Sequence, residues 1–458
     1  MKSNQIDMTE GSIVRKLIKF SLPFIASSVL QLLFNAADIA VVGRFAGDNS
    51  LAAVGSTTSL INLLVNFFMG LSVGTNVVAS HYFGAKDSKR VTQTVHTAIV
   101  LSVVSGIILT ILGVCFTESI LRLMASPEEV LPLSALYLRV FFGGITSTMI
   151  YNFGSALLRA KGDTKRPLII LFGSGILNVI LNLVFVISFK MDVAGVALAT
   201  VISQTIAAVL VIILLVREKE EFHLSFRKLK ADTYILGRII KIGLPAGFQS
   251  VMFAFSNIII QSSVNSFGAI MVAGNSAAST IEGFIYTSMN GFSQCALTFC
   301  SQNMGAKKYE RINKVVISTM IINFLLGLVL GWSSVFFGEP LLSIFTTGKE
   351  VIDAGMYRLW VICTTYCLCG LMDGMSNCIR GIGHSVTPVI TTLAGACLFR
   401  VIWLFTIFRI PQFHTPFMIF VTYPLSWILT FTANIIFYRK YLKEILSRSD
   451  ISKIENKK

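Results

Sequence analysis

The feature that most constrains this chain is a series of apolar segments, each long enough to cross a lipid bilayer. A membrane-spanning helix needs about 20 mostly apolar residues. Twelve such segments lie at 17–42, 51–80, 94–117, 132–157, 168–189, 193–216, 238–262, 269–299, 315–337, 352–378, 388–408 and 413–438. Backbone groups in lipid must bond within the protein, so spanning segments of this length are helices. We therefore predict an all-α polytopic membrane protein with twelve transmembrane helices.

The placement of basic residues predicts the orientation of these spans. Most of the 38 Lys and Arg lie before span 1, after every second span, or after span 12. They occupy the segments 2–19, 86–90, 159–166, 217–241, 307–314 and 439–458, together with position 380. Cytoplasmic loops carry such an excess. We expect a multi-pass protein of the cell membrane with both termini cytoplasmic. The net charge of +15 is then a topology signal, and no nucleic-acid partner is expected.

The chain repeats itself at a fixed distance. Arg159 and Pro167 return 221 positions later as Arg380 and Pro388, and the turn Gly84–Lys86 returns as Gly305–Lys307 at the same distance. A fixed offset near half the chain length indicates a duplication. Each half holds six spans and enters the membrane in the same direction, which predicts two lobes related by a pseudo-twofold axis along the membrane normal.

The duplication also predicts domain boundaries. Residues 1–216 form an amino-terminal lobe, and 238–438 form a carboxy-terminal lobe. The polar segment 217–237 is a cytoplasmic linker, and 439–458 is a cytoplasmic tail.

Span 1 contains an aspartate with no basic residue nearby in the sequence. Ser27, Gln31, Asn35 and Asp38 are spaced by three or four residues and therefore share one helix face. A carboxylate inside a membrane costs about 2.5–3.5 kcal/mol at the helix centre and is usually functional. Pro23 on the same helix removes a backbone hydrogen bond and permits bending there.

Polar stripes of the same kind mark five other spans, and a Gly70–Gly74 pair on span 2 indicates close helix packing. The stripe residues that we assign to a cavity or substrate site, together with Gln31 and Asn35, are Asn62, Asn66, Gln249, Asn257, Glu282, Asp373 and Asn377. For each amide, a structural hydrogen bond between helices is an equal alternative. Arg400 on span 11 has two alternatives, pairing with a carboxylate or reaching the outer surface.

Several classes of function have no support in the sequence. The phosphate-binding pattern GxxxxGK[ST] is absent, the five histidines are far apart, and the eight cysteines are mostly scattered singly. We expect neither an enzyme, nor a cofactor, nor a structural metal. Without a nucleotide site, an ion gradient is the energy source for a transporter, and intramembrane carboxylates are suited to take up H⁺ or Na⁺.

Taken together, these motifs resemble the multidrug and toxic compound extrusion (MATE) family. The resemblance rests on Leu22-Pro23, Asn35–Asp38, Gly84–Lys86, and Arg159–Pro167 with its echo at Arg380, Gly383 and Pro388. It covers essentially all twelve spans. It implies alternating access driven by H⁺ or Na⁺, in which bulky, often cationic and amphipathic compounds are moved out of the cytoplasm. We expect the protein to be a monomer whose partners are these small molecules and the membrane lipid.

The resemblance also implies sites. A DinF-like cation site in the amino lobe corresponds to Asp38, Asn178, Asn182 and Thr200, with Asn182 standing where an aspartate is usual. Any Na⁺ would bind at these four residues. A NorM-like site in the carboxy lobe would use Asp373, but Phe253 stands where its glutamate partner is expected. The main alternative function is a flippase for lipid-linked precursors, which would favour clustered basic residues inside the membrane. The substrate and the coupling ion stay open.

Overall fold

The protein is described by a computed structural model for residues 5–124 and 127–455. All regular secondary structure in these ranges is helical. The amino-terminal half contains α1 Ile13–Phe45, α2 Asp48–Gly84, α3 Ser88–Cys115, α4 Thr117–Leu123, α5 Leu131–Gly143, α6 Ile145–Lys161, α7 Lys165–Leu183 and α8 Asp192–Arg217. A π-helical turn, Val184–Ser188, continues α7.

The carboxy-terminal half begins with the same order of elements and is divided into more pieces at its end. It contains α9 Thr233–Asn265, α10 Ala269–Gly305, α11 Tyr309–Phe336, α12 Gly338–Ser343, α13 Lys349–Cys363, α14 Tyr366–Gly381, α15 Val386–Thr392, α16 Phe399–Phe405, α17 Pro416–Phe420 and α18 Thr422–Glu455. A π-helical turn, Leu393–Leu398, joins α15 to α16. Short 3₁₀ turns at Phe226–Lys228, Ile407–Arg409 and Pro411–Phe413 complete the chain.

The number of membrane spans agrees with the prediction of twelve. Within the described ranges, nine helices are long and apolar enough to cross a membrane, and the bent pairs α5–α6 and α13–α14 add two more. Helix α10 is the twelfth. It has 37 residues, but polar side chains such as Asn275 and Glu282 lower its hydropathy. Those side chains bond to other residues inside the protein, so α10 does not expose them to lipid.

The two halves match each other in detail. Helices α2 and α10 have 37 residues each, start 221 positions apart and follow Gly47 and Gly268, whose φ angles are 86° and 88°. The kinks also correspond, since α5 meets α6 at 47° and α13 meets α14 at 49°. The first six helices of the two halves, α1–α6 and α9–α14, thus correspond one to one.

The chain divides into two compact units. The amino unit contains the described part of Met1–Asp7 together with Leu22–Gly247, and the carboxy unit contains Met8–Ser21 and the described chain from Phe248 onward. Both divisions fall inside helices, α1 and α9, whereas the predicted lobe boundaries lie at the linker. The described part of the predicted tail is the end of α18, and residues 456–458 lie outside the described ranges.

Glycines explain why the start of α9 belongs to the amino unit. A Cβ atom added to Gly70 would lie 2.3 Å from the backbone nitrogen of Gly247, and one added to Gly74 would lie 2.4 Å from the carbonyl oxygen of Ile239. The backbones of α2 and α9 therefore touch directly, which only glycine permits. The close packing predicted from Gly70 and Gly74 is confirmed.

The predicted linker packs on the amino unit. Phe222 and Leu224 are fully buried. Glu218 accepts bonds from Lys161 and Arg166, each at 2.6 Å. Burial by itself would raise the pKa of Glu218, but the hydrogen bonds and charges of these two cations outweigh it and hold the pKa below its ordinary value. The linker is thus an ordered part of the amino unit.

Candidate functional site

The four residues predicted to bind a cation lie together in the amino unit. Asp38 comes from α1, Asn178 and Asn182 from successive turns of α7, and Thr200 from α8. The spacing of four residues places both asparagines on one face of α7. Asn182 is fully buried at the last turn before the π-helical segment, and such π turns are frequent at functional sites.

Hydrogen bonds connect the four side chains in a row. The side-chain nitrogen of Asn182 donates to the Oδ1 atom of Asp38 and lies 3.4 Å from the Oδ1 atom of Asn178. The side-chain nitrogen of Asn178 donates to Thr200 at 3.3 Å. The Oδ1 atom of Asn182 is buried and has no partner in the described structure. A buried acceptor of this kind is rare and suits a proton donor or a cation.

The charge of Asp38 has no basic partner. In the parts of the chain that the structure describes, no Lys, Arg or His forms an ion pair with it. The buried Tyr137 on α5 interacts with Asp38 electrostatically. Sequence reasoning missed Tyr137, because one tyrosine in an apolar span belongs to no polar stripe. The cluster therefore holds one carboxylate among neutral polar groups.

Five of the predicted cavity residues stand apart from this cluster. They are exposed and make no side-chain hydrogen bonds with the described residues: Gln31, Asn35, Asn62, Asn66 and Asn257. Their assignment to a cavity stays a prediction.

Three of the other predicted residues meet in the carboxy unit. Asp373 on α14 accepts bonds from Asn377 at 3.2 Å and from Asn290 at 3.1 Å. Asn377 accepts a bond from Arg380, whose other terminal nitrogen donates to Gln249 at 2.6 Å. The network joins α9, α10 and α14. Arg380 is buried inside it, although the sequence placed this arginine among the solvated loop charges.

Glu282 is part of an ion pair rather than a free carboxylate. Arg358 on α13 donates two hydrogen bonds to it, at 2.8 and 2.7 Å, and a third to Asn275 at 2.5 Å. Both charged residues are 5% exposed. Both carboxylate oxygens of Glu282 accept bonds from a buried guanidinium, and the assignment of Glu282 to a cavity stays a prediction. Sequence reasoning passed over Arg358 despite its place within a predicted span.

Arg400 follows neither of its predicted alternatives. It is 2% exposed, so it does not reach the surface, and it pairs with no carboxylate in the described ranges. Its Nε atom donates to Ser426 at 2.9 Å, and its guanidinium lies over the ring of Tyr423, 4.2 Å from the ring centre. The cation is held by a hydroxyl and an aromatic face.

Two repeated halves of six spans, with polar and charged groups held between the helices, define a membrane transport protein. The MatE family model matches the chain twice, at residues 23–184 and 245–406. The chain therefore belongs to the MatE family, as its motifs predicted. The two matched segments coincide with the two halves of the duplication.

Several known proteins are similar to this chain over most of their own length. The probable multidrug resistance protein YoeA of Bacillus subtilis is 28% identical over 393 residues, which cover 84% of this chain and 85% of YoeA. The multidrug export protein MepA of Staphylococcus saprophyticus is 24% identical, covering 88% of this chain and 90% of MepA. A solved outward-facing multidrug resistance MATE family transporter of the MOP superfamily matches with a TM-score of 0.89 and 20% identity, covering 98% of this chain and all of the other. The last likeness is one of fold.

Proposed function

We propose that this protein is a secondary active exporter that moves cationic or amphipathic compounds out of the cytoplasm in exchange for H⁺ or Na⁺. The observation that carries the proposal is Asp38, a carboxylate inside the membrane with neutral hydrogen-bond partners and no basic one. Such a group can gain and lose a cation, and intramembrane carboxylates mark ion pathways. The relatives YoeA and MepA, named as multidrug resistance and export proteins, support the substrate class.

The cluster favours H⁺ over Na⁺ as the coupling ion. Na⁺ prefers several oxygen ligands with negative charge, and Asp38 supplies the one carboxylate. A proton needs only an acceptor and a rearranged hydrogen bond. Ionised Asp38 accepts a bond from the Asn182 amide, whereas protonated Asp38 would donate to the Oδ1 atom of Asn182, which has no partner in the described structure. Rotation of one amide group would accompany protonation.

We further propose that protonation of Asp38 is coupled to bending of α1. Pro23 lies inside this helix, and the hydroxyl of Ser27 donates to the Pro23 carbonyl at 2.9 Å. Asp38 stands 15 residues beyond Pro23, about 22 Å at 1.5 Å per residue. Neutralising Asp38 would replace the bond that it accepts from Asn182 on α7 by one that it donates, and α1 would repack around the neutral group. Pro23 removes a backbone hydrogen bond near the other end of the helix, so α1 can bend there.

A flippase for lipid-linked precursors is the competing function. It would need free basic groups inside the membrane to bind phosphates. In the carboxy unit, Arg358 bonds Glu282, and Arg380 bonds Asn377 and Gln249. Among the described residues, each of the three buried arginines thus bonds at least one protein side chain, Arg400 through Ser426, which favours the exporter.

The test is dye transport in proteoliposomes under imposed gradients. We expect the purified protein to move a cationic dye when a H⁺ or Na⁺ gradient is present, and to stop when nigericin and monensin together collapse both. Asn182→Asp, which adds a second carboxylate, should increase the dependence on Na⁺. Dye movement that is unchanged after both gradients collapse contradicts antiport. Movement of a fluorescent lipid-linked diphosphate without dye movement establishes the flippase instead.

A further inference from the structure

The duplication allows the amino-unit cluster to be compared with the equivalent place in the carboxy unit. The family model matches the two halves 222 positions apart, and the kinked spans and α2 and α10 correspond at about the same offset. Residues that are 221 or 222 positions apart therefore occupy equivalent positions on equivalent helices.

Where the amino unit has the negatively charged cluster around Asp38, the carboxy unit has positively charged residues. At an offset of 221 the positions equivalent to Asp38, Asn178 and Asn182 are Ile259, Phe399 and Trp403, and at the offset of 222 they are Ile260, Arg400 and Leu404, so no carboxylate stands at any of them. The position equivalent to Tyr137, which interacts with Asp38, is Arg358, 221 positions later. Arg400 immediately follows Phe399 on α16. An anionic cluster in one half thus corresponds to a cationic cluster in the other.

The cationic cluster has one positive charge without a counter-charge. It contains the two guanidiniums of Arg358 and Arg400, but the carboxylate of Glu282 receives its hydrogen bonds from Arg358 alone. Tyr423 stands between the arginines, with its ring centre 5.6 Å from the guanidinium of Arg358 and 4.2 Å from that of Arg400. Buried apolar side chains such as Leu404 and Trp427 belong to the same core.

The guanidinium of Arg400 also has unused donors. Its one hydrogen bond to the described residues comes from Nε, and the two terminal nitrogens have none. A buried charge is stable only when it is paired and hydrogen-bonded, and removing such a charge from water costs several kcal/mol otherwise. The cation–π contact with Tyr423 offsets only about 2 kcal/mol of this.

We propose that the terminal nitrogens of Arg400 bind a small anion of single charge, either a carboxylate or a halide, inside the carboxy unit. One charge balances the one excess cation, and the two terminal nitrogens match the two oxygens of a carboxylate. The anion has two possible sources, which are a free ion and the carboxylate of a transported compound. This site goes beyond the proposed antiport and does not depend on it.

The test uses the tryptophan that lies beside the cluster. Trp427 is 5.9 Å from Tyr423 between ring centres, so a heavy anion at Arg400 would quench its fluorescence. The full-length protein in nanodiscs is titrated with bromide, with sulfate, which is neither a carboxylate nor singly charged, keeping the ionic strength constant. We expect saturable quenching in the wild type, relief of that quenching by acetate, and at least tenfold weaker binding in Arg400→Gln. Arg409→Gln, an exposed arginine on the same span, should behave as the wild type.

A transport arm separates the two sources. If the anion belongs to a substrate, Arg400→Gln should lose transport of a dye that carries a single carboxylate, while bromide competes with that dye. If it is a free ion, bromide and acetate bind but carboxylate dyes are not carried. Purely linear quenching of the wild type together with no transport of carboxylate dyes would overturn the site. So would saturation in Arg400→Gln equal to that of the wild type.

A second measurement covers the case in which Arg400→Gln fails to fold. Bromide in place of sulfate should raise the melting temperature of the wild type, because a ligand that binds only the folded state stabilises it. Arg400→Met should melt higher than the wild type in sulfate and show no response to bromide. A wild-type melting temperature that does not depend on the anion refutes the proposal.

Discussion

Removing Arg358 alone should destabilise the protein far more than removing the whole ion pair. Arg358 donates to Glu282 at 2.8 and 2.7 Å and to Asn275 at 2.5 Å, and both charged residues are 5% exposed. Arg358→Met leaves the Glu282 carboxylate buried without a partner. Breaking a buried pair in this way costs about 3–5 kcal/mol, or roughly two to four orders of magnitude in the unfolding equilibrium.

The double variant Arg358→Met/Glu282→Leu distinguishes an unpaired charge from a lost contact. Replacing both partners by apolar residues is often neutral or stabilising by about 1–4 kcal/mol. We expect its free energy of unfolding, measured in mixed micelles of dodecyl maltoside and SDS, to return to near the wild-type value. Equal losses in the single and double variants would refute the reasoning. Loss of transport by a stable double variant would support the prediction that Glu282 is a functional residue.

Three further predictions concern packing, pH and the carboxy-unit network. Gly247→Ala places a Cβ atom 2.2 Å from a backbone oxygen of α2 and should cost about 1–3 kcal/mol of stability, whereas Gly237→Ala on the same helix meets nothing within 4 Å and should not destabilise. The depressed pKa of Glu218 contributes stability that is present above its ordinary value of 4.5 and is lost as the pH falls through the folded-state pKa. The wild-type melting temperature should therefore fall below about pH 4.5, and more steeply than that of Glu218→Gln. Asp373→Asn should weaken transport of at least some substrates in a dye panel, with exposed Asp353→Asn as the control; wild-type transport of every substrate would contradict this role.

The amino-unit cluster was predictable because its residues follow helical spacing within single spans. Asn178 and Asn182 are one turn apart, and Asp38 lies on a polar face of α1. Their meeting across α1, α7 and α8 was expected only from the family resemblance. Periodicity tells which face of a helix is polar, and the fold decides which helices come together.

The parts that sequence reasoning missed depend on contacts between distant residues. Glu282 and Arg358 are 76 positions apart, and no local pattern pairs them. Arg380 reads as a loop charge because it precedes a glycine at the end of a span, yet Asn377 and Gln249 hold it inside the protein. We recognise no sequence pattern that predicts a π helix in the residues that form the π-helical turns after Leu183 and Thr392.

The central claim is that the carboxylate of Asp38 couples a cation gradient to export. The most direct measurement is gradient-driven dye efflux by Asp38→Asn in proteoliposomes, with Asp353→Asn as a control and the amount of folded protein matched by size-exclusion chromatography. The substitution fixes the neutral state and nearly preserves the shape of the side chain. We predict that Asp38→Asn folds and binds dye but shows no efflux driven by either a H⁺ or a Na⁺ gradient, while the control transports normally. Gradient-driven efflux by Asp38→Asn at the wild-type rate would contradict the account.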